Sequence, residues 1–382
     1  MTIKLNERPV FMIGSERSGT TLLMAMVGAH PRISVPEVAW YYPRFRPYLY
    51  TYGDLDNDTH FLTLVEEMVF GLKTPFWGMP ANPATIVREI ADSVRERSYA
   101  GIYAALFGRY AAFEGKPRWG EKTPHNLFFV KEILEDFPDA QIIFMTRDGR
   151  DASSEYINSA FGPTNIYSAA EIWKLCQTVV KPFRESLGPD QWMDVKYEEL
   201  VRNPEGVLER VCDFLGETYS REMLQFHTTT IAQRRGTTRD HAPLGKPVST
   251  EYIGRYKYEL SLRDQRIFAA VAGQELAESG YEVEVDPWPL SEADIALYKE
   301  LDDRTRAAVL EAPGGHLVYE SYNDWLVDQR EARRQAGIWT TPAENFPIGH
   351  PLEEEIQGFR APRKWKDHFG IQRRYVSHSV TL

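Results

Sequence analysis

The sequence predicts an α/β protein in which a parallel β-sheet is flanked by helices. Three short apolar stretches, at residues 9–13, 140–146 and 192–197, have the composition of buried strands. Helical patterns separate these stretches, as expected when each strand crosses over to a parallel neighbour. A short loop rich in Gly, Ser and Thr follows the first strand directly. Ligands of such folds bind beyond the carboxyl ends of the strands, so we expect the functional residues there.

The first strand, loop and helix read PVFMIGSERSGTTLLMAMVGAHP at residues 9–31. The spacing predicts a loop over 14–18 and a helix over 19–29, whose unpaired N–H groups and positive dipole end face the loop. Glycine there lets the backbone approach a ligand, hydroxyls donate to it, and an arginine offers a planar fork of donors. The residues expected to hold anionic oxygens are therefore Arg17, Ser18, Gly19, Thr20 and Thr21. The alternative is that Gly and Ser serve turn geometry and helix capping only.

The loop differs from a Walker loop at one decisive position. Gly14 and Gly19 have the Walker separation, but Thr20 stands where the Walker lysine should be. Arg17 lies inside the loop instead. This weakens the hypothesis of a magnesium-dependent P-loop nucleotide kinase or hydrolase, which stays open as an alternative function.

Composition and charge exclude several classes of protein. The chain has 382 residues, 43% of them hydrophobic and 26% charged, as is usual for a globular protein. Its formal net charge of -11 argues against a general nucleic-acid binder and against attachment to anionic lipid. Neither a basic-then-apolar leader nor an apolar run of membrane-spanning length is present, so we expect a cytoplasmic protein. Cys176 and Cys212 lie in helical apolar patterns and are expected to be buried rather than bridged or metal-bound.

The remaining elements follow in order. Prolines and charges in the aromatic segment 40–54 favour a loop or short helices, and residues 59–114 read as helices interrupted at 73–83. GEKTPHN at 120–126 leads into a helix that ends at Phe137, and RDGRDASSEY follows the second strand. A long amphipathic helix is predicted over 164–187, and a turn and helix over 198–216. This arrangement brings four side chains to the carboxyl edge of the sheet: Arg17, Lys122, Arg147 and Tyr197.

GSERSGTTLL together with IIFMTRDGRD resembles the signature pair of sulfotransferases that use 3'-phosphoadenosine 5'-phosphosulfate (PAPS). AMVGAHPRISVPE, EKTPHN, VKYEELVRNPE and LGKPVSTEYIGRYKYEL also fall in the order and approximate spacing of tyrosylprotein sulfotransferases and their bacterial relatives. The resemblance covers roughly residues 8 to 285. It implies a P-loop-like parallel sheet flanked by helices, the sulfotransferase fold, and sulfuryl transfer without a metal.

The resemblance also implies roles for individual residues. The loop at Arg17 would hold the 5'-phosphosulfate, and Arg147 would hold the 3'-phosphate. Tyr197 and Lys246 match positions that contact the nucleotide, although a core aromatic and a solvated charge are the alternatives. The family usually has a serine eight positions after this arginine, where this chain has Glu155. Because a carboxylate repels phosphate, we expect either that Ser154 or Ser153 takes this role or that Glu155 turns away.

Two further residues are candidates for the chemistry of a hydroxyl acceptor. Lys122 is the candidate cation that stabilises the oxygen between phosphorus and sulfur of PAPS as the bond to sulfur breaks. The alternative is that Lys122 is a surface lysine paired with Glu121. Glu37 is the candidate general base, since it lies where the tyrosylprotein relatives have theirs, and aromatic neighbours would raise its pKa. His125 is the second candidate base, displaced by Pro124 from the Lys-Thr-His pattern of cytosolic sulfotransferases.

The sequence indicates the donor more specifically than it indicates the acceptor. The aromatic residues of 40–52 either line the acceptor cleft, with Arg44 and Arg46 holding an acidic group, or pack the protein's own helices. A small molecule, glycan or glycolipid is favoured over a protein tyrosine because no broad basic run is present.

We expect a sulfotransferase domain at 1–285 and a mostly helical or irregular extension at 286–382, with helices at 287–311 and 322–338 and a basic, aromatic tail at 359–382. The extension either packs on the core or is exchanged between the subunits of a homodimer.

For the function of the chain, the remaining alternative to an enzyme is a non-catalytic, nucleotide-binding descendant of the sulfotransferase fold.

Overall fold

The computed structural model describes residues 8–72, 75–80, 82–159, 162–311 and 318–341. The described chain divides into two compact units. The first unit contains the residues up to Pro36, Lys116–Val130 and Asp139–Thr305, and the second contains Glu37–Gly115, Lys131–Pro138 and the residues from Arg306 onward. The predicted tail at 359–382 lies outside the described residues.

The first unit is built on a five-stranded parallel sheet with the strand order β2-β3-β1-β4-β5. Val10 on the central strand is in register with Gly120 on one side and Gln141 on the other. All five residues of that strand are buried, as expected for a strand covered on both faces. The strands are β1 (Val10–Gly14), β2 (Ile33–Ser34), β3 (Arg118–Lys122), β4 (Gln141–Thr146) and β5 (Trp192–Lys196).

The predicted parallel α/β fold is confirmed, and two strands were missing from the prediction. β2 has only two residues, and β3 reads RWGEK, which carries no apolar alternation although all five residues are buried. Arg118 explains how a charged strand is tolerated in the interior. Its guanidinium donates to the carbonyls of Arg8 (3.0 Å) and Leu215 (2.6 Å), so its polar groups stay satisfied.

Helices connect the strands and supply most of the remaining structure. Side-chain caps fix several helix starts: Asn57, Ser98, Asn165 and Ser261 accept hydrogen bonds from first-turn N–H groups. The helices are α1 (Thr20–Gly28), α2 (Tyr41–Phe45), α3 (Asp58–Phe70), α4 (Pro83–Ser93), α5 (Tyr99–Phe113), α6 (Val130–Asp136), α7 (Gly149–Ile157), α8 (Ile166–Ser186), α9 (Tyr197–Arg202), α10 (Pro204–Leu215), α11 (Thr230–Gly236), α12 (Tyr256–Glu259), α13 (Leu262–Glu278), α14 (Glu292–Glu311) and α15 (Val318–Gln335). Short 3₁₀ helices occupy Arg46–Tyr52, Pro75–Gly78, Pro124–Phe129, Arg221–Thr228 and Arg239–Gly245.

Among the described residues of the first unit, apolar side chains form two clusters. One joins the sheet to α1, α9 and α10, and the other joins α7 and α8 to α13. Cys176 and Cys212 are both buried and unbridged, as the sequence predicts. No described helix has both the length and the apolar character that crossing a bilayer requires.

Aromatic side chains form the core of the second unit. Tyr103 stacks on Phe107 at 4.7 Å, and Tyr41 packs edge-on against both rings. In the segment 40–52, five aromatic residues are buried: Tyr41, Tyr42, Phe45, Tyr48 and Tyr52. The alternative in which these aromatics pack the protein's own helices is therefore favoured.

The two arginines of the same segment have partners inside the second unit. Arg44 donates to the Gly71 carbonyl at 2.8 Å, and Arg46 pairs with Asp136 and Glu135 at 2.9 and 3.0 Å. These contacts leave little reason to expect the two guanidiniums to hold an acidic acceptor group.

Within the second unit, a buried ion pair holds the helix α15. Arg333 Nη1 lies 2.6 Å from Glu67 Oε1, and Arg333 Nε donates to the Thr51 carbonyl at 3.0 Å. Trp339, which follows this helix, packs edge-on against Tyr50 at 5.2 Å. The described part of the C-terminal region is therefore helical and packed.

Candidate active site

The loop between β1 and α1 is a tight turn around left-handed backbone. Arg17 has a φ of 64° and Gly19 a φ of 90°. A Cβ on Gly19 would lie 2.6 Å from the Tyr197 ring, so only glycine fits this turn. Ser18 is fully buried, and its hydroxyl is hydrogen-bonded to that of Ser15. Thr20 opens α1, which directs its first N–H groups toward the loop.

Arg147 lies directly after β4 and is almost completely buried. Its Nη1 donates to the Arg17 carbonyl at 3.0 Å and its Nη2 to the Tyr252 carbonyl at 2.7 Å. The guanidinium carbon lies 4.6 Å from the centre of the Tyr197 ring. Its buried Nε has no hydrogen-bond partner among the described residues. The loop, the end of β4 and the end of β5 therefore meet at one guanidinium.

Glu155 on α7 bridges the two arginines of the site. Its Oε1 lies 2.7 Å from Arg147 Nη1, and its Oε2 lies 3.1 Å from Arg17 Nη2. The carboxylate lies on both arginines, and its turning away from a bound phosphate stays a prediction. Ser154 donates instead to Glu259 Oε2 at 2.7 Å, whereas the buried Ser153 hydroxyl lacks a partner within the described chain.

Lys122 brings a second cation to the loop from the end of β3. It is 3% exposed, and its Nζ donates to Thr21 Oγ1 at 3.1 Å. Burial raises the pKa of the neighbouring Glu121 carboxyl to about 7, although Thr123 and Asn126 donate hydrogen bonds to it. Lys122 is therefore not a surface lysine.

His125 pairs with a loop residue that the sequence interpretation did not single out. Its Nδ1 lies 3.1 Å from Glu16 Oε1, and both side chains are largely buried. Burial acts to raise the pKa of Glu16, but His125 and the charges of Lys122 and Arg17 outweigh it and lower that pKa. The sequence signal that would have indicated this pair is the position of Glu16 inside the predicted anion-binding loop, between Gly14 and Gly19.

The polypeptide beyond α11 supplies further contacts. Asp151 accepts hydrogen bonds from the N–H groups of Gly254 (2.7 Å) and Tyr256 (2.8 Å), which fixes the segment that presents the Tyr252 carbonyl. Burial raises the pKa of Asp151 to about 6 and that of Tyr197 to about 12. Lys246 is exposed in the loop that precedes this segment.

Glu37 is the first residue of the second unit, three positions after β2. Its side chain is 6% exposed, and its carbonyl accepts a hydrogen bond from Trp77 Nε1 at 2.9 Å. The indole of Trp77 therefore lies at the backbone of Glu37. Its role as a base stays a prediction.

Comparisons with known proteins agree with the geometry. The family model described as "Sulfotransferase family" matches residues 9–221, more than half of the chain. The protein-tyrosine sulfotransferase of Drosophila melanogaster is 25% identical over 292 residues, covering 74% of this chain and 53% of that protein. Protein-tyrosine sulfotransferase 1 of Danio rerio is 24% identical over 291 residues, 73% of each chain. The chain thus spans about half the length of the Drosophila relative.

Solved structures include a similar fold. The sulfotransferase domain from the Synechococcus PCC 7002 olefin synthase has a TM-score of 0.51 and 20% identity, and the match covers 74% of this chain and 97% of that domain. At this identity the likeness concerns the fold.

Proposed function

The chain belongs to the sulfotransferase family, and we propose that it transfers the sulfuryl group of PAPS to a hydroxyl group of an acceptor. The observation that carries this proposal is the convergence of three cations at the carboxyl edge of the sheet. Arg17 lies in the loop after β1, Lys122 ends β3, and Arg147 follows β4. Buried cations beside a helix N-terminus suit a ligand with several anionic groups.

The residues present fit the nucleotide donor. The loop backbone with the hydroxyls of Thr20 and Thr21 would hold the 5'-phosphosulfate, and Arg147 would hold the 3'-phosphate. The buried Arg147 Nε, which has no partner in the described part of the chain, supports this assignment because such a donor favours an acceptor. Tyr197 would support the Arg147 guanidinium, while Ser154 and Lys246 are further candidates for nucleotide contacts.

Bound PAPS supplies an activated sulfuryl group, and the chain's own residues provide positioning and charge. Sulfuryl transfer should resemble phosphoryl transfer, in which negative charge develops on the leaving oxygen. Lys122 would stabilise that charge, and Arg17 would orient the transferred group. Since a sulfuryl group carries less charge than a phosphoryl group, we propose that these cations do the work without a metal ion.

Glu37 is the proposed general base that accepts the proton of the acceptor hydroxyl. Its burial supports this role, because a catalytic base acts in a site from which bulk water is excluded. His125 is the second candidate, and its pairing with Glu16 would orient the imidazole.

We propose a small molecule, glycan or glycolipid as the acceptor. The net charge of -11 argues against a strongly acidic protein segment as substrate, even though the Drosophila and Danio relatives are protein-tyrosine sulfotransferases. The region beyond residue 285 would then act as an extension that packs on the core or is exchanged between two subunits.

The first experiment is calorimetric titration with 3'-phosphoadenosine 5'-phosphate (PAP), the desulfated product, in the absence of magnesium. Selective micromolar binding over ATP is the expected result, and a preference for magnesium-ATP would instead indicate a nucleotide kinase or hydrolase. Arg17→Ala and Arg147→Ala should each weaken PAP binding, because each removes a cation from the site.

The base is tested by Glu37→Gln, with the exposed Glu66→Gln as the matched control. Glu37→Gln should bind PAP like the wild type and lose turnover of labelled PAPS by about 100-fold or more, the usual contribution of a general base. Unchanged turnover in Glu37→Gln would remove this assignment and turn attention to His125.

A further inference from the structure

Glu155 is an internal carboxylate held by the two arginines of the anion site. Each of its oxygens lies near a different guanidinium, 2.7 Å from Arg147 and 3.1 Å from Arg17. An anion bound between two guanidiniums is the arrangement expected of a ligand phosphate in this place. The protein's own side chain thus makes the contacts that a phosphate would make.

The charges indicate what happens when a phosphate arrives. Arg17, Arg147 and Glu155 together carry a net charge of one positive unit, which is less than a bound phosphate needs for neutralisation. The Nη1 group of Arg147 already donates to Glu155 and to the Arg17 carbonyl, so it has no capacity for a phosphate while the carboxylate stays. Carboxylate and phosphate also repel each other at this distance.

Glu155 is more exposed than the arginine with which it makes its shorter contact. Its side chain is 20% exposed, whereas that of Arg147 is only 3% exposed. Arg147 is further fixed by the Tyr252 carbonyl and the Tyr197 ring, so the glutamate is the less constrained partner of the pair.

We propose that the Glu155 carboxylate occupies the subsite of the 3'-phosphate on Arg147, where it also pairs with the neighbouring Arg17, and turns out of it when the donor binds, which makes Glu155 a determinant of donor affinity. This inference rests on the proposed function, because it assumes a phosphate-bearing donor. Without a ligand the carboxylate balances two adjacent cations. It therefore stabilises the ligand-free protein and lowers the affinity of the site for the donor.

The test compares PAP affinity in the wild type, Glu155→Gln and Glu155→Ser, measured by calorimetric titration without magnesium. Glu278→Gln is the matched control, since it removes the same charge from an exposed ion pair with Lys181. Glu155→Gln should bind PAP at least about tenfold more tightly than the wild type, while the control is unchanged. Thermal unfolding without ligand should occur at a lower temperature in Glu155→Gln, a direction opposite to the change in affinity.

The outcomes separate the inference from the proposed function. If the wild type binds PAP and both Glu155 variants bind it equally well or more weakly, the inference is overturned and the proposed function stands. If none of the four proteins binds PAP, both are overturned. Should one Glu155 variant fail to fold, the other decides.

Discussion

Gly19 contributes both to the stability of the fold and to the geometry of the site, and Gly19→Ala tests both contributions. The residue has a φ of 90°, at which an alanine costs about 1 to 2 kcal/mol. The added Cβ would lie 2.6 Å from the ring of Tyr197, and relieving that overlap in a packed interior costs about 1 to 3 kcal/mol. We therefore expect the free energy of unfolding to fall by about 2 to 5 kcal/mol.

The same overlap predicts a loss of ligand binding. Tyr197 is 7% exposed and supports the Arg147 guanidinium at 4.6 Å, so the ring cannot move without shifting that arginine. PAP affinity should fall by at least about tenfold, because the loop and Arg147 lose their alignment.

Gly28→Ala, at the other end of α1, is the matched control for Gly19→Ala. Its Cβ would meet Val35 at no less than 3.5 Å, which is ordinary contact, so stability should be unchanged or rise by up to about 1 kcal/mol. Urea denaturation followed by fluorescence measures both variants. A Gly19→Ala protein within about 0.5 kcal/mol of the wild type would refute the reasoning about this turn.

Two further predictions concern buried charges. In wild-type protein, Glu121 has a pKa of about 7 in the folded state and about 4.3 when unfolded, so ionisation favours the unfolded state as the pH rises between these values. The free energy of unfolding of Glu121→Gln, relative to that of the wild type, should therefore increase from about pH 4.3 to 7 and then level off. Urea denaturation at a series of pH values measures this difference, and a difference that does not change with pH would contradict the prediction. In the second unit, Arg333→Met leaves the Glu67 carboxylate buried without its cation and should lower the free energy of unfolding by about 3 to 5 kcal/mol. Arg109→Met, whose partner Glu89 is half exposed, should cost under about 1 kcal/mol in the same denaturation assay, and equal losses in the two variants would disprove the distinction.

The fold could be predicted from the sequence where hydrophobic patterning was strong. β1, β4 and β5 and the long helix α8 lie within a few residues of their predicted bounds. β3 could not be predicted in this way, because its RWGEK sequence is polar and the strand exists through pairing with β1 and β2. Side chains buried by tertiary contacts leave no periodic signal in the sequence.

The candidate site shows the same division between local and long-range information. The strand, loop and helix at 9–31 determined by themselves that an anion site was to be expected, since the glycine turn and helix N-terminus are local features. Parallel topology then brought Arg17, Lys122 and Arg147 to one edge. The placement of Arg17 and Arg147 followed from the predicted parallel strands, whereas the strand that carries Lys122 was not predicted.

The tertiary structure alone decided which charges face one another. The pairs Glu16 with His125 and Glu155 with Arg17 join residues more than 100 positions apart, as does the support of Arg147 by the Tyr252 carbonyl. Sequence established that the site is cationic, because residue types and strand ends are local properties. Whether a carboxylate sits between its arginines depends on side-chain packing across the sheet, and only the folded chain determines that.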